Sequence, residues 1–233
     1  MYQSKFISTI LFSLVLTGSY SCNSNEIGES KDVNQERIYM DYSIIHNEGD
    51  DQVNITCQFR FAGNAGTTLV LNDSSNVEFD GEKLKVDSNI TGAYYGINKP
   101  LNGFNGKHII SFTNFNGKRF DNEFIFSLFT LTNLFEKTGR IKDLKVTYQP
   151  APLTKADYVQ VYSNDTDSSF MYSQWGPDNN IVIPAKELMR QKGKTLSLEY
   201  RLHQEINLQQ GTSEGGKIRI LQQLKPVQIK LLP

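Results

Sequence analysis

Apolar and polar residues alternate along most of the chain with a period of two, which is typical of β-strands whose two faces meet different surroundings. The segment VNITCQFRF shows this pattern clearly, because Val53, Ile55 and Cys57 alternate with polar residues. In TLSLEYRLHQEINLQ the same pattern predicts one buried face that begins with Leu196 and Leu198. The hydrophobic pattern therefore predicts a chain built mainly from strands.

The predicted strands recur every eight to twelve residues or so, and the turns between them are rich in Gly, Asn and Asp. Asp80-Gly81 and Asn116-Gly117 are dipeptides that favour tight hairpins. The apolar run EFIFSLFTL also suits a helix, but its aromatic and β-branched content favours a strand. AKELMRQKG predicts a short helix that ends at Gly193. The predicted strands lie at 37–45, 53–61, 66–72, 76–86, 92–97, 107–115, 118–120, 123–131, 141–148, 157–163, 169–175, 179–184, 195–209, 215–224 and 226–232.

The order of these elements predicts an all-β fold, because strands and helices do not alternate as they would around a parallel sheet. We expect two tandem antiparallel β-sandwich domains, at 37–149 and 155–233. Two prolines in QPAPLT favour an extended connection between them. The polar residues 22–36 are expected to form a flexible spacer.

The first 21 residues have the layout of a secretory signal peptide. Lys5 supplies the positive charge, Phe6 to Leu16 is a short apolar stretch, and small polar residues follow as far as Ser21. The apolar stretch is too short to span a bilayer as a helix of the mature protein. Ordinary signal-peptidase cleavage after Ser21 would release a soluble protein, and lipidation of Cys22 is the alternative.

Cys22 and the residues before it resemble the lipobox of bacterial lipoproteins, in a loose form similar to those of Bacteroidota. Ser21 matches the pattern, whereas Ser19 and Tyr20 depart from it. Cys57, the other cysteine, is predicted to lie on the buried face of a strand, where a disulfide to the chain terminus is geometrically awkward. The lipid is therefore the favoured interpretation, with Cys22 as the membrane anchor of an outer-membrane lipoprotein that faces the periplasm or the cell surface.

Strand spacing and turns across residues 37–233 also resemble the tandem immunoglobulin-like modules of Gram-negative envelope lipoproteins. The resemblance is architectural and carries no family residue over to this chain. The formal net charge is −1 with acids and bases interspersed, so we expect no nucleic-acid partner.

The chain has no HExxH, no CxxC and no phosphate-binding loop, and its three histidines lack metal-ligand spacing. We therefore expect a protein that is not an enzyme and has no cofactor. In NDTDSS, Asp165 and Asp167 alternate as calcium ligands do, but a central Gly and a distal Glu are missing. A calcium site there is the weaker alternative to a polar turn.

Four aromatic residues are candidates for ligand binding, since exposed rings stack on sugars or anchor protein partners. They are Tyr95, Phe104, Tyr172 and Trp175. The competing interpretation is that these rings belong to the core. The sequence thus favours a non-enzymatic envelope lipoprotein that binds a protein or a glycan. The alternative is a structural accessory subunit that docks onto an outer-membrane complex by an exposed sheet edge.

Overall fold

A computed structural model describes residues 27–72, 74–164 and 168–233. The described residues form nineteen strands, two short 3-10 turns at Ser30–Asp32 and Gln35–Arg37, and the helix α1 at Ala185–Arg190. The strands are β1 (Ile27–Glu29), β2 (Ile38–Asn47), β3 (Gln52–Phe61), β4 (Thr68–Val70), β5 (Asn76–Phe79), β6 (Glu82–Lys83), β7 (Lys85–Asn89), β8 (Gly92–Pro100), β9 (Gly106–Thr113), β10 (Arg119–Phe126), β11 (Thr130–Leu131), β12 (Lys137–Gly139), β13 (Leu144–Gln149), β14 (Tyr158–Ser163), β15 (Phe170–Trp175), β16 (Asn180–Ile183), β17 (Thr195–Asn207), β18 (Gly216–Gln223) and β19 (Val227–Leu232).

A large sheet follows the path β1-β4-β3-β2-β18-β17-β14-β15, with β7, β8, β12 and β19 paired to its members. The strands β10-β9-β5-β6 form a second sheet, and β11-β13-β16 form a third. The all-β prediction is confirmed. The antiparallel prediction needs correction, because β1 with β4, β12 with β19, and β18 with β2 pair in parallel.

Two apolar cores lie between the large sheet and the smaller ones, which makes the architecture that of a β-sandwich. In the first core, Tyr42 and Phe59 of the large sheet meet Phe112 of the second sheet. In the second core, Leu198 of the large sheet and Tyr148 of the third sheet belong to one buried cluster. The buried face of each long strand consists of the apolar residues that alternate with polar ones in the sequence.

The division between the two cores differs from the predicted boundary at 149–155. Residues 129–149 contribute Phe129, Val146 and Tyr148 to the second core, and Leu153 of the predicted linker is buried there as well. Strand β18 returns to the first core, where Ile218 and Ile220 are buried. The cores therefore exchange chain segments, and the two-domain organisation stays a prediction.

A buried glutamine supports the chain where it passes from the first core to the second. The backbone between β10 and β11 is not paired in a sheet, and Gln222 of β18 bonds to it instead. The Gln222 side chain accepts a hydrogen bond from the Phe129 N–H (2.8 Å) and donates one to the Ser127 carbonyl (2.9 Å). One side chain thus satisfies two backbone groups that no strand reaches.

The predicted spacer needs correction over residues 27–36, because these residues pack against the folded chain. Strand β1 pairs with β4. Ser30 is fully buried and its hydroxyl accepts a hydrogen bond from the Asn72 N–H at 3.1 Å. Gln35 is buried too, and its side-chain oxygen accepts from the Phe115 N–H at 3.0 Å. The polar composition of the segment hides these contacts, since they are hydrogen bonds rather than apolar packing.

The local turn and strand signals of the sequence are confirmed, and the predicted helix forms but ends at Arg190 rather than at Gly193. Asp80 and Gly81 both have positive φ and join β5 to β6, as a type I′ hairpin turn requires. The Asn116-Gly117 turn joins the paired strands β9 and β10. EFIFSLFTL is strand as far as Phe126 and again in β11, and α1 forms where AKELMR predicts a helix.

Candidate functional site

Two of the four aromatic candidates are core residues, which corrects the expectation that they bind a ligand. Tyr95 is 6% exposed, its ring packs edge-on against Phe59, and its hydroxyl accepts a hydrogen bond from the Leu71 N–H at 2.7 Å. Phe104 is 3% exposed, and its ring stacks on His108 at 4.1 Å. Both rings pack inside the fold, and the hydroxyl of Tyr95 is paired there.

The other two candidates lie on β15, on opposite faces. Tyr172 packs against the second core, and its hydroxyl donates to Glu187 at 2.9 Å. Trp175 is 57% exposed. The remaining candidates, namely Cys22 for lipidation and Asp165 and Asp167 for calcium, lie outside the described residues.

Trp175 is the exposed end of a stack of three rings. Its ring centroid lies 4.3 Å from that of Tyr158, whose ring stacks on His203 at 4.4 Å with an interplanar angle of 9°. The stack arises because Trp175, Tyr158 and His203 are directly opposite one another on β15, β14 and β17. The rings stand on the outer face of the large sheet, since Val159 and Leu202 next to them point into the core.

The same row continues across the sheet, where His203 is opposite Leu221 and Leu221 is opposite Ile45. Beside the rings lies a cavity of about 380 Å³. We call it the outer groove, and among its lining residues are Trp175, Tyr158, His203, Leu221, Ile45 and Arg219. It combines an apolar floor and an aromatic wall with a few polar groups, as small-ligand sites do.

Two polar atoms of the groove-lining residues are buried without a hydrogen-bond partner among the described residues. They are Nε2 of His203 and the side-chain oxygen Oε1 of Gln204. Buried polar atoms are normally paired, because an unpaired one keeps its desolvation penalty. A ligand with polar groups of its own would supply the missing partner to His203.

Burial, and secondly the charge of Arg201, lower the pKa of His203 below its ordinary value. His203 is therefore neutral at neutral pH, with one ring nitrogen that donates and one that accepts. The two charged residues that line the outer groove are paired: Arg219 with Asp41, and Glu205 with Lys217. The arrangement suits recognition of a ligand, and it places no nucleophile next to an activating base.

The lowered pKa of His203 gives a stability prediction. The unfolded chain takes up a proton on this residue at about pH 6.5, and the folded chain does so only at lower pH. The unfolded state therefore binds more protons as the pH falls, and the folded state loses stability. We expect His203→Gln to lose less stability than the wild type on going from about pH 7.5 to about pH 5, as measured by urea unfolding. Equal losses in the two proteins would contradict this.

Over residues 27–72, 74–164 and 168–233, no group of three or more His, Cys, Asp and Glu side chains is placed to hold a metal ion. In the same part of the chain, no helix combines the length and the apolar character needed to cross a membrane.

No protein-family model matches the sequence, and no curated protein matches it. The solved structures that it resembles include a 1.5-MDa bacterial ice-binding adhesin, at 13% identity and a TM-score of 0.28 over 85% of this chain. They also include the SGBP-B protein of the Bacteroides ovatus mixed-linkage glucan utilization locus in complex with a heptasaccharide, at 9% identity and a TM-score of 0.24 over 88% of this chain. Sidekick-1 immunoglobulin domains 1–4 match at 11% identity and a TM-score of 0.24 over 87% of this chain and 51% of theirs.

The chain spans 66% of the adhesin structure and 66% of the glucan-locus structure, slightly less than two thirds of each. The first two of these structures are of bacterial binding proteins. At TM-scores below 0.5 the likenesses carry no argument about function, so we interpret the site from its own residues.

Proposed function

We propose that this chain is a non-enzymatic lipoprotein of the bacterial envelope that binds a glycan or a protein partner through the outer groove. The observation that carries the proposal is the exposed Trp175, held by the Tyr158 and His203 rings beside a cavity on the outer face. A large aromatic ring that is fixed by its neighbours and left open to solvent gives a ligand much contact area at little entropic cost.

The binding test compares the wild type with Trp175→Ala on a glycan array and in pull-downs from envelope extracts. We expect a partner that the wild type retains and that Trp175→Ala binds about tenfold or more weakly, because a central aromatic anchor is lost. Ile125→Ala is the matched control, since Ile125 is 66% exposed on the second sheet. A partner bound equally by all three proteins would place the site elsewhere, and no retained partner would refute the proposal.

The proposed anchor is tested separately by metabolic labelling with a palmitate analogue. We expect the wild type to incorporate the label and to sediment with membranes, because the Cys22 thiol carries the lipid. Cys22→Ser is expected to lose both properties. Cys57→Ser is the control, since Cys57 is fully buried in β3 and out of reach of an acyltransferase. Membrane association of Cys22→Ser would contradict the anchor.

A second candidate function is that of a structural subunit that docks by a sheet edge. It is favoured by the position of β15, which ends the path of the large sheet. Such an edge presents unpaired backbone groups to which a partner strand can add. A subunit of this kind would copurify with a stoichiometric partner at native expression levels, and proline substitutions in β15 would release that partner.

A further inference from the structure

The outer groove is not isolated on its face of the sheet. Ile45 also lines a second cavity of about 490 Å³, which we call the distal cavity and which is lined in addition by Asn47, Asp50, Asn54 and Asn98. The two cavities therefore share the side chain of Ile45 as a lining residue.

Lining residues of the two cavities are in register across the strands. Ile45 is opposite Asn54, and Asn54 is opposite Asn98, so the row that begins at Trp175 on β15 ends at Asn98 on β8. At about 4.8 Å per strand spacing, the row is about 29 Å long. Its length suits an extended chain molecule better than a single small metabolite, and its two ends differ: one is aromatic and the other is amide-rich.

The charges along the row oppose an acidic ligand. Arg219 and Lys217 are neutralised by Asp41 and Glu205 at the outer groove. The distal cavity carries the carboxylates of Asp50 and Asp51, which would repel an anion. No described lysine or arginine of the two cavities is left without an acidic partner.

The unpaired Nε2 of His203 suits a hydroxyl group. A hydroxyl both donates and accepts, so it can pair with the buried Nε2 of His203 in either tautomer. The apolar face of a pyranose ring complements the exposed ring of Trp175. In the distal cavity the side chains of Asn54 and Asn98 bond to each other at 2.9 Å, which holds both amides in the row.

We infer that the outer groove and the distal cavity form one site for a neutral, extended oligosaccharide, which lies across the strands from Trp175 to Asn98. The inference rests on the proposed binding function of the outer groove and adds to it the ligand class, the direction and a second subsite.

The test titrates the lipid-free chain with neutral oligosaccharides, from disaccharide to octasaccharide, of cellulose, xylan, mannan and mixed-linkage glucan. Oligogalacturonates and alginate oligomers of the same lengths are the acidic set. We expect one neutral series to bind, with an affinity that increases with length until both cavities are filled and that is the same at low and high salt. Asn98→Ala should weaken the octasaccharide about tenfold and leave the shortest bound oligomer unchanged, whereas Asn116→Ala, in an exposed turn of the second sheet, should change neither.

The outcomes separate the inference from the function on which it rests. Trp175-dependent binding of an acidic series, or an octasaccharide affinity that Asn98→Ala leaves unchanged, overturns the inference and keeps the binding function. A protein partner captured through Trp175, with no oligosaccharide bound, overturns the inference in the same way. If no ligand of any kind depends on Trp175, both fail.

Discussion

Residues 27–149 expressed alone are expected to show no cooperative unfolding transition. This fragment lacks Ile218 and Ile220 of β18, which complete the first core and cover the edge of β2. It also leaves β13 without β16 and exposes Phe129, Val146 and Tyr148, which belong to the second core. Circular dichroism during urea unfolding measures the result, and the full chain serves as reference.

The matched control keeps every fully buried side chain of the first core. In it, Phe126 is joined to Leu208 by about eight Gly and Ser residues, which span about 15 Å, and the chain ends after β18. The two ends lie near each other, because the Glu123 N–H donates to the Gln209 side chain at 2.9 Å. We expect this shorter protein to unfold cooperatively. A cooperative transition in 27–149 would contradict the exchange of segments between the cores.

Gln222→Ala is expected to lower the free energy of unfolding by about 2–4 kcal/mol. Its loss leaves the Phe129 N–H and the Ser127 carbonyl without their partner. Each unpaired buried group costs about 1–3 kcal/mol.

The control for this substitution is Gln228→Ala, because Gln228 is exposed on β19. Its change should be within about 0.5 kcal/mol. Equal effects of the two substitutions in urea denaturation would show that Gln222 has no special role at the crossing between the cores.

The longer strands of the two cores were predictable because they bury one face. In β3, the buried Val53, Ile55 and Cys57 are the residues that the alternation selects. The hairpin at Asp80-Gly81 was predictable from its residue types alone. Both signals are local, since period and turn chemistry depend on residues that are close in the sequence.

The partners of the strands were not predictable in the same way. Alternation shows which face of β18 is buried, but it does not show that this strand pairs in parallel with β2 near the other end of the chain. The docking of β1 was hidden for another reason: a short parallel pairing and the hydrogen bonds of Ser30 leave no apolar pattern.

Of the three stacked rings of the candidate site, the sequence predicted one and missed two. Trp175 lies in the outer groove, whereas Tyr158 and His203 were not among the candidates. Their outward direction was available in the sequence, since Val159 and Leu202 beside them belong to the buried face. Their stacking was not, because it depends on the register between β14, β15 and β17.

Strand β1 and strand β15, which carries Trp175, lie at opposite ends of the path of the large sheet. Strand β1 begins five positions after Cys22, a distance of at most about 17 Å for an extended chain. Strand β15 is seven strand spacings from β1 along the sheet, or about 34 Å. A lipid on Cys22 would therefore hold the β1 edge next to the membrane and leave the Trp175 end of the outer groove farther from it.

The central claim, that the outer groove binds a ligand, is tested most directly by the fluorescence of Trp175. It is the single tryptophan of the chain, so its emission reports on the groove without any substitution. The wild type is titrated with the partner that it retains on the glycan array or in the pull-down. The fluorescence intensity is predicted to change saturably and the emission maximum to shift to the blue, because water leaves the exposed ring. Saturable binding by calorimetry with no change in the emission of Trp175 would contradict the claim.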